Sequence, residues 1–151
     1  MRGRKTDLAR EECAIARTLA AVGDWWSLLI VRDALNGSRR FGEFQRNLQL
    51  AKNILTTRLH KLVNEGIFIV QPASDGSAYK EYVLSEKGEH LYVVMIALWQ
   101  WGEAYSFPPN ELNLEMVDLP SGQRLPPVQV LSAEGRVLGP REVAPRYRVE
   151  G

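Results

Sequence analysis

The chain has 151 residues, 45% apolar and 25% charged, with a formal net charge of +1, an ordinary globular composition for one domain or one domain with an appendage. One cysteine, Cys13, excludes an intrachain disulfide framework and any all-cysteine metal site. No window approaches the roughly 18 uncharged apolar residues of a membrane span, and the opening Met1-Arg2-Gly3-Arg4-Lys5 has no apolar run behind it, so a soluble, cytoplasmic protein without membrane contact is expected.

Leu8 to Ala21 reads as a helix, with Ile15, Leu19 and Val22 at three- and four-residue spacing and Gly23 closing it. A second helix follows at once. Asp24 suits its N-cap because a carboxylate accepts the free amides of a first turn, and Trp26, Leu29, Ile30, Asp33 and Ala34 set a buried stripe ending at the Asn36-Gly37 stop. Ser38 to Phe41 has the content of a short strand. A third helix runs from Glu43 to Leu48, with Gly42 as its cap and Phe44 and Leu48 facing inward. After a turn at Gln49 to Ala51, Lys52 to Glu65 makes a fourth helix with Leu55, Leu59 and Leu62 on one side and Gly66 beyond its end.

Ile67 to Gln71 and Tyr79 to Leu84 are rich in β-branched and aromatic residues, and Asp75-Gly76 between them supplies a turn, so the pair reads as a hairpin. Ser85 then caps a long final helix, Glu86 to about Tyr105, whose apolar face of Leu91, Val94, Met95, Leu98, Trp99 and Gly102 is wide enough to pack beyond its own domain. Such a helix suits a homodimer. Pro108-Pro109 breaks it, and the tail shows only short strand-like runs, Leu114 to Leu119 and Val128 to Leu131. The expected class is mainly α (α+β), with residues 1–106 as the main domain and a small β appendage over 107–151.

The charge is concentrated. Ser38 to Val63 carries Arg39, Arg40, Arg46, Lys52, Arg58 and Lys61 against Glu43, a net +5, while the remainder sums to −4. A basic patch on an otherwise balanced protein is what phosphate contact requires, since neutralising phosphates releases condensed counterions. At about 100° per residue, Asn53, Thr56, Thr57, His60 and Lys61 project away from the leucine stripe of the fourth helix. Their amide, hydroxyl and cationic groups match the donors and acceptors of base edges in a major groove.

Taken together, these elements resemble the HxlR-type winged helix-turn-helix regulators, relatives of the MarR family. The resemblance rests on Cys13-Ala14-Ile15-Ala16-Arg17, Val22-Gly23-Asp24-Trp25-Trp26, Leu29-Ile30, Arg39-Arg40-Phe41-Gly42-Glu43-Phe44, Asn53-Ile54-Leu55, Arg58-Leu59, Leu62, Glu65-Gly66 and Tyr82-Val83-Leu84-Ser85-Glu86-Lys87-Gly88. It implies a homodimer on pseudo-palindromic double-stranded DNA, with the fourth helix in the major groove, the hairpin as a wing and the last helix joining two copies. Asn53, Thr56 and Thr57 then fall on the base-reading edge; Lys52, Arg39, Arg40, Arg58 and Lys61 suit phosphate contact, His60 suits either, and Lys80 joins the set from the wing.

Departures from the family pattern carry expectations of their own. Ala51 stands where the family usually has Ser, removing a side-chain cap worth ~1 kcal/mol and allowing the recognition helix to start out of register. Trp25 replaces a basic or polar residue and is read first as a core or dimer-seam position, the alternative being that it, like Trp99, is a ligand-pocket candidate for a small-molecule effector. Cys13 falls where several members keep a thiol that senses oxidants or electrophiles. Arg10 and Arg17 lie one turn to either side while Glu11 and Glu12 oppose them, so local charge leaves both a reactive and an inert thiol open. The tail has Ser121-Gly122 and Leu131-Ser132-Ala133-Glu134-Gly135 where some relatives carry zinc-ribbon cysteines, and reads as a metal-free relic held by Leu125, Val128, Val130, Val137 and Leu138. No cofactor is expected. His60 and His90 sit in unrelated elements, which argues against an enzyme, and the rival function is a winged helix that binds protein instead of DNA.

Overall fold

The computed structural model describes residues 7–149. Two compact units make up the chain, Met1–Met95 and Ile96–Gly151. In the first, a short 3-10 turn (Leu8–Arg10) leads into α1 (Ala14–Val22), α2 (Trp25–Leu35), α3 (Phe41–Leu48) and α4 (Lys52–Asn64), then a two-stranded antiparallel sheet of β1 (Phe68–Pro72) and β2 (Lys80–Leu84), and α5 (Glu86–Glu89). The last helix, α6, spans Tyr92–Tyr105.

The single helix expected over Leu8 to Ala21 is divided. The Asp7 side chain accepts from the Ala9 amide at 3.2 Å and closes a separate turn, and the chain is extended at Cys13, which becomes the N-cap of α1. Of the expected apolar stripe only Val22 is buried; Ile15 stays 73% exposed and Leu19 is exposed as well. In α2 the Asp24 cap forms as expected, accepting from the Ser27 amide at 3.0 Å and its hydroxyl at 2.6 Å. The buried face there is Ser27, Ile30, Val31 and Asp33, while Trp26, Leu29 and Ala34 are half-buried.

Ser38 to Phe41 forms no strand. Instead α3 begins at Phe41 behind Arg40, because the Glu43 carboxylate reaches back to accept the Arg40 amide at 3.0 Å, and Gly42 lies inside the helix. A single strand-like bond survives, from the Tyr82 amide to the Arg39 carbonyl at 2.7 Å. The turn into α4 places Gln49 at φ +52°, a left-handed conformation uncommon outside glycine, and sends Leu50 into the core. Although Ala51 makes no side-chain cap bond, α4 starts at Lys52, in the expected register.

The core joins Val22, Ile30, Val31, Phe44, Leu50, Leu55, Leu59, Leu62, Ile67 and Phe68. Phe44 and Phe68 meet edge to face at 6.1 Å, a favourable aromatic geometry. Gly88 is required by packing: a Cβ there would come within 2.2 Å of the Ile67 carbonyl. The long final helix is interrupted at His90 and Leu91, where the Leu91 amide bonds the carbonyl of Gly88, three residues back, and tightens the turn.

In the second unit, Gln100 on α6 donates to the Pro126 carbonyl at 3.0 Å and accepts the Val128 amide at 2.7 Å, and Glu103 pairs with Arg124 at 2.7 Å. The strand-like runs of the tail yield isolated bridges, Val117 with Arg124 and Leu131 with Val137, and no extended strand among the described residues. Val128, Val130 and Val137 are about half exposed, so their contribution comes through backbone bonds such as that from the Leu138 amide to the Val130 carbonyl at 2.8 Å; Leu125 and Leu138 are partly buried. Hydroxyls complete the two turns. Ser121 Oγ accepts the Gln123 amide and Ser132 Oγ the Arg136 amide.

Candidate nucleic-acid interface

The buried leucines of α4 fix which side of that helix faces out. Leu55, Leu59 and Leu62 are fully buried, so Lys52, Asn53, Thr56, Thr57 and His60 are all exposed on the remaining surface. The hydroxyls of Thr56 and Thr57 donate to the carbonyls of Lys52 at 2.7 Å and Asn53 at 2.9 Å. That anchors both side chains and leaves each oxygen able to accept, while the Asn53 amide offers both a donor and an acceptor.

Arg58 and Lys61 occupy the flank toward α2, with Arg58 Nε 3.4 Å and Lys61 Nζ 3.5 Å from the oxygens of Asp24. One carboxylate therefore caps α2 and tethers α4. Burial pushes the Asp24 carboxyl up, and the Ser27 hydrogen bonds with the two cations outweigh it, so it titrates below the usual value.

A second cluster ties the wing to the start of α3. Glu81 is only 3% exposed. Its carboxylate accepts from the Ser74 amide at 3.2 Å and hydroxyl at 3.1 Å and pairs with Arg39 at 3.4 Å. Arg40 approaches it at 3.9 Å, binds Asp75 in the wing loop and lies against the Tyr79 ring, 5.2 Å from its centroid. The Ser74 bonds, with Arg39, hold Glu81 below the ordinary glutamate value against the opposing effect of burial, and the Ser77 bonds with Arg40 hold Asp75 well below the carboxylate range.

These pairings change how the basic patch is read. Arg39, Arg40, Arg58 and Lys61 are each matched by Asp24, Asp75 or Glu81, all outside the segment in which the positive charge was counted. Separations of 42 residues for Arg39 with Glu81 and 35 for Arg40 with Asp75 hide this from a local count. Lys52, Arg46 and the wing residue Lys80 have no carboxylate within ion-pair distance among the described residues. In the sequence Glu81 had no role, Asp75 only that of a turn residue and Arg46 only a place in the charge count; the available signal was a carboxylate in a strand position downstream of a double arginine.

Cys13 is exposed and caps α1 without a side-chain hydrogen bond. Its flanking cations are turned elsewhere: Arg17 donates to the Glu11 carbonyl at 2.7 Å and Arg10 pairs with Asp7 at 3.2 Å. Trp25 is 75% exposed, with its ring 5.8 Å from that of Trp26. Trp99 is half-buried, its indole nitrogen enclosed without an acceptor. No single helix among the described residues is long and apolar enough to cross a membrane.

Four helices followed by a two-stranded wing, with a polar outer face on α4, define a winged helix-turn-helix transcriptional regulator. The model of the HxlR-like helix-turn-helix matches residues 21–109, and the chain belongs to that family. It is 34% identical over 132 residues to the HTH-type transcriptional regulator Rv3095 of Mycobacterium tuberculosis, covering 87% of this chain and 84% of that one. Among solved structures it is similar to PA1607, a candidate transcription factor, at TM-score 0.89 and 43% identity over 95% of this chain and all of that one. It is also similar to the oxidized form of the redox regulator HypR, at TM-score 0.53 and 29% identity over 61% of this chain and 96% of that one.

Proposed function

We propose that this regulator binds a pseudo-palindromic operator in double-stranded DNA as a homodimer, with α4 in the major groove and the β1–β2 wing beside it. The carrying observation is the face of α4 opposite its buried leucines, where Asn53, Thr56, Thr57 and His60 present hydrogen-bonding groups. A surface evolved to bind protein would carry apolar anchors there. Lys52 and Lys80 supply phosphate contact directly; Arg39, Arg40, Arg58 and Lys61 do so by exchanging a carboxylate for a phosphate oxygen, and otherwise position the helix and wing. The dimer is supported by α6, whose Tyr92, Val93, Val94, Leu98, Trp101 and Tyr105 are all exposed and which buries no residue completely. An apolar helix in this state calls for a second copy. An oxidant, an electrophile or a small molecule acts as effector, with Cys13 as the redox-sensing group and either Trp25 or Trp99, each within its own unit, as a contact for a non-covalent ligand; support for the first comes from exposed Cys13 and the likeness to HypR.

Fluorescence anisotropy of a labelled duplex across salt concentrations tests the core of this reading. Neutralising about six to ten phosphates per dimer gives a log–log slope of roughly −5 to −9, and a slope near zero would exclude DNA as the partner.

A further inference from the structure

A cleft of about 550 Å³ opens between the first turns of α3 and the strand β2, lined among others by Arg40, Gly42, Arg46, Tyr79 and Lys80. The charges facing it are not equivalent. Arg40 is held by Asp75 and the Tyr79 ring, and the Glu43 carboxylate is occupied by the Arg39 and Arg40 amides at 3.4 and 3.0 Å. Arg46 and Lys80 are exposed, and neither makes an ion pair or a side-chain hydrogen bond among the described residues. The Arg46 guanidinium folds back over Gly42, its Nη1 3.6 Å from where a Cβ at that position would stand, so Arg46 lines the cleft from α3 while Lys80 lines it from the wing.

We propose that this cleft seats a backbone phosphate of duplex DNA beside the bases that α4 reads, with Arg46 and Lys80 as its ligands. The inference rests on the DNA-binding reading above. Arg46 and Lys80, neither of them ion-paired among the described residues, outnumber the single carboxylate of Glu43 on the cleft lining, and the resulting positive potential is one that an anion relieves. Drawing Arg39 or Arg40 to a phosphate breaks an ion pair, whereas recruiting Arg46 and Lys80 breaks none. The guanidinium fork can hold two phosphate oxygens at once, and the ammonium adds a point charge from the opposite wall.

Arg46→Gln, Lys80→Gln and the double variant test it, since both side chains are exposed and neither belongs to the core. The double variant should weaken specific and random duplexes by the same factor and reduce the magnitude of the log–log salt slope by about 2, one phosphate per subunit of the dimer, with each single variant lying between it and the wild type. The charge-conserving Arg46→Lys and Lys80→Arg should keep the wild-type slope. If the wild type binds DNA and the glutamine variants keep its slope, the cleft seats no phosphate and only this inference falls. If the wild type binds no DNA, both readings fall. ATP titrated without DNA covers the remaining source of phosphate: saturable binding lost in the double variant, with the DNA slope unchanged, would assign the cleft to a soluble phosphorylated ligand and overturn the proposal.

Discussion

At the scale of single residues, the outer face of α4 was legible because helical periodicity alone fixes what lies opposite Leu55, Leu59 and Leu62. What each cation touches was not, because ion-pair partners such as Asp24 and Glu81 come from other elements. The two kinds of residue should separate in binding experiments. Asn53→Ala or Thr57→Ala should cost ~1–3 kcal/mol on the preferred site and little on random DNA, since base-edge contacts carry the discrimination. Arg40→Ala should weaken all duplexes alike. Equal losses on both kinds of DNA for all three variants would mean that another face of the protein reads the bases. For Cys13, exposure permits reaction while both flanking arginines are engaged elsewhere. Diamide or a quinone should therefore change the DNA affinity of the wild type and leave Cys13→Ser unaffected if the thiol is the sensor; unchanged affinity after confirmed modification returns it to an inert role.

At the scale of elements, starts and stops marked by strong local chemistry were readable. Asp24, Gly66 and Ser85 sit at the expected ends of α2, α4 and α5. Those set by distant or reciprocal contacts were not: Glu43 moves the start of α3 to Phe41, and the close approach of Gly88 to Ile67 accompanies the break before α6. The wing contains the clearest pH-dependent contact. Glu81 titrates below the ordinary glutamate value near 4.5, so its contribution to holding the wing is complete above that value and is lost as pH falls through its depressed folded one. The Ser74 amide resonance should follow a transition with a midpoint below 4.5, absent in Glu81→Gln; a midpoint at or above it would show that the cluster does not hold the carboxylate charged. In the core beneath, Phe44→Ala removes a fully buried ring packed on Phe68. It should cost ~3–5 kcal/mol in chemical denaturation at fixed protein concentration.

At the scale of the whole molecule, the class was legible from the order of elements, while the form of the tail was not. Short apolar runs punctuated by glycine and proline suggested strands over Leu114 to Leu119 and Val128 to Leu131, yet each run enters only a single bridge, beside turns capped by serine hydroxyls. Nothing in a strand-period reading counts the hydrogen bonds that a serine in a turn can accept. The apolar surface of α6 is the feature that one chain alone leaves unexplained. Leu98 and Trp101 are 49% and 64% exposed, so a charge at either, as in Leu98→Glu, should dissociate the proposed dimer into monomers in sedimentation analysis and lower operator affinity with it. A dimer unchanged by both Leu98→Glu and Trp101→Glu would place the subunit contact elsewhere.

Selection of duplexes from a randomised pool by the purified protein tests the central claim most directly, because it reports base reading, dimer symmetry and spacing at once. Enrichment of an inverted repeat with half-site centres ~10 base pairs apart, one helical turn on a single DNA face, is the predicted result; recovery of no sequence above the starting pool would contradict it.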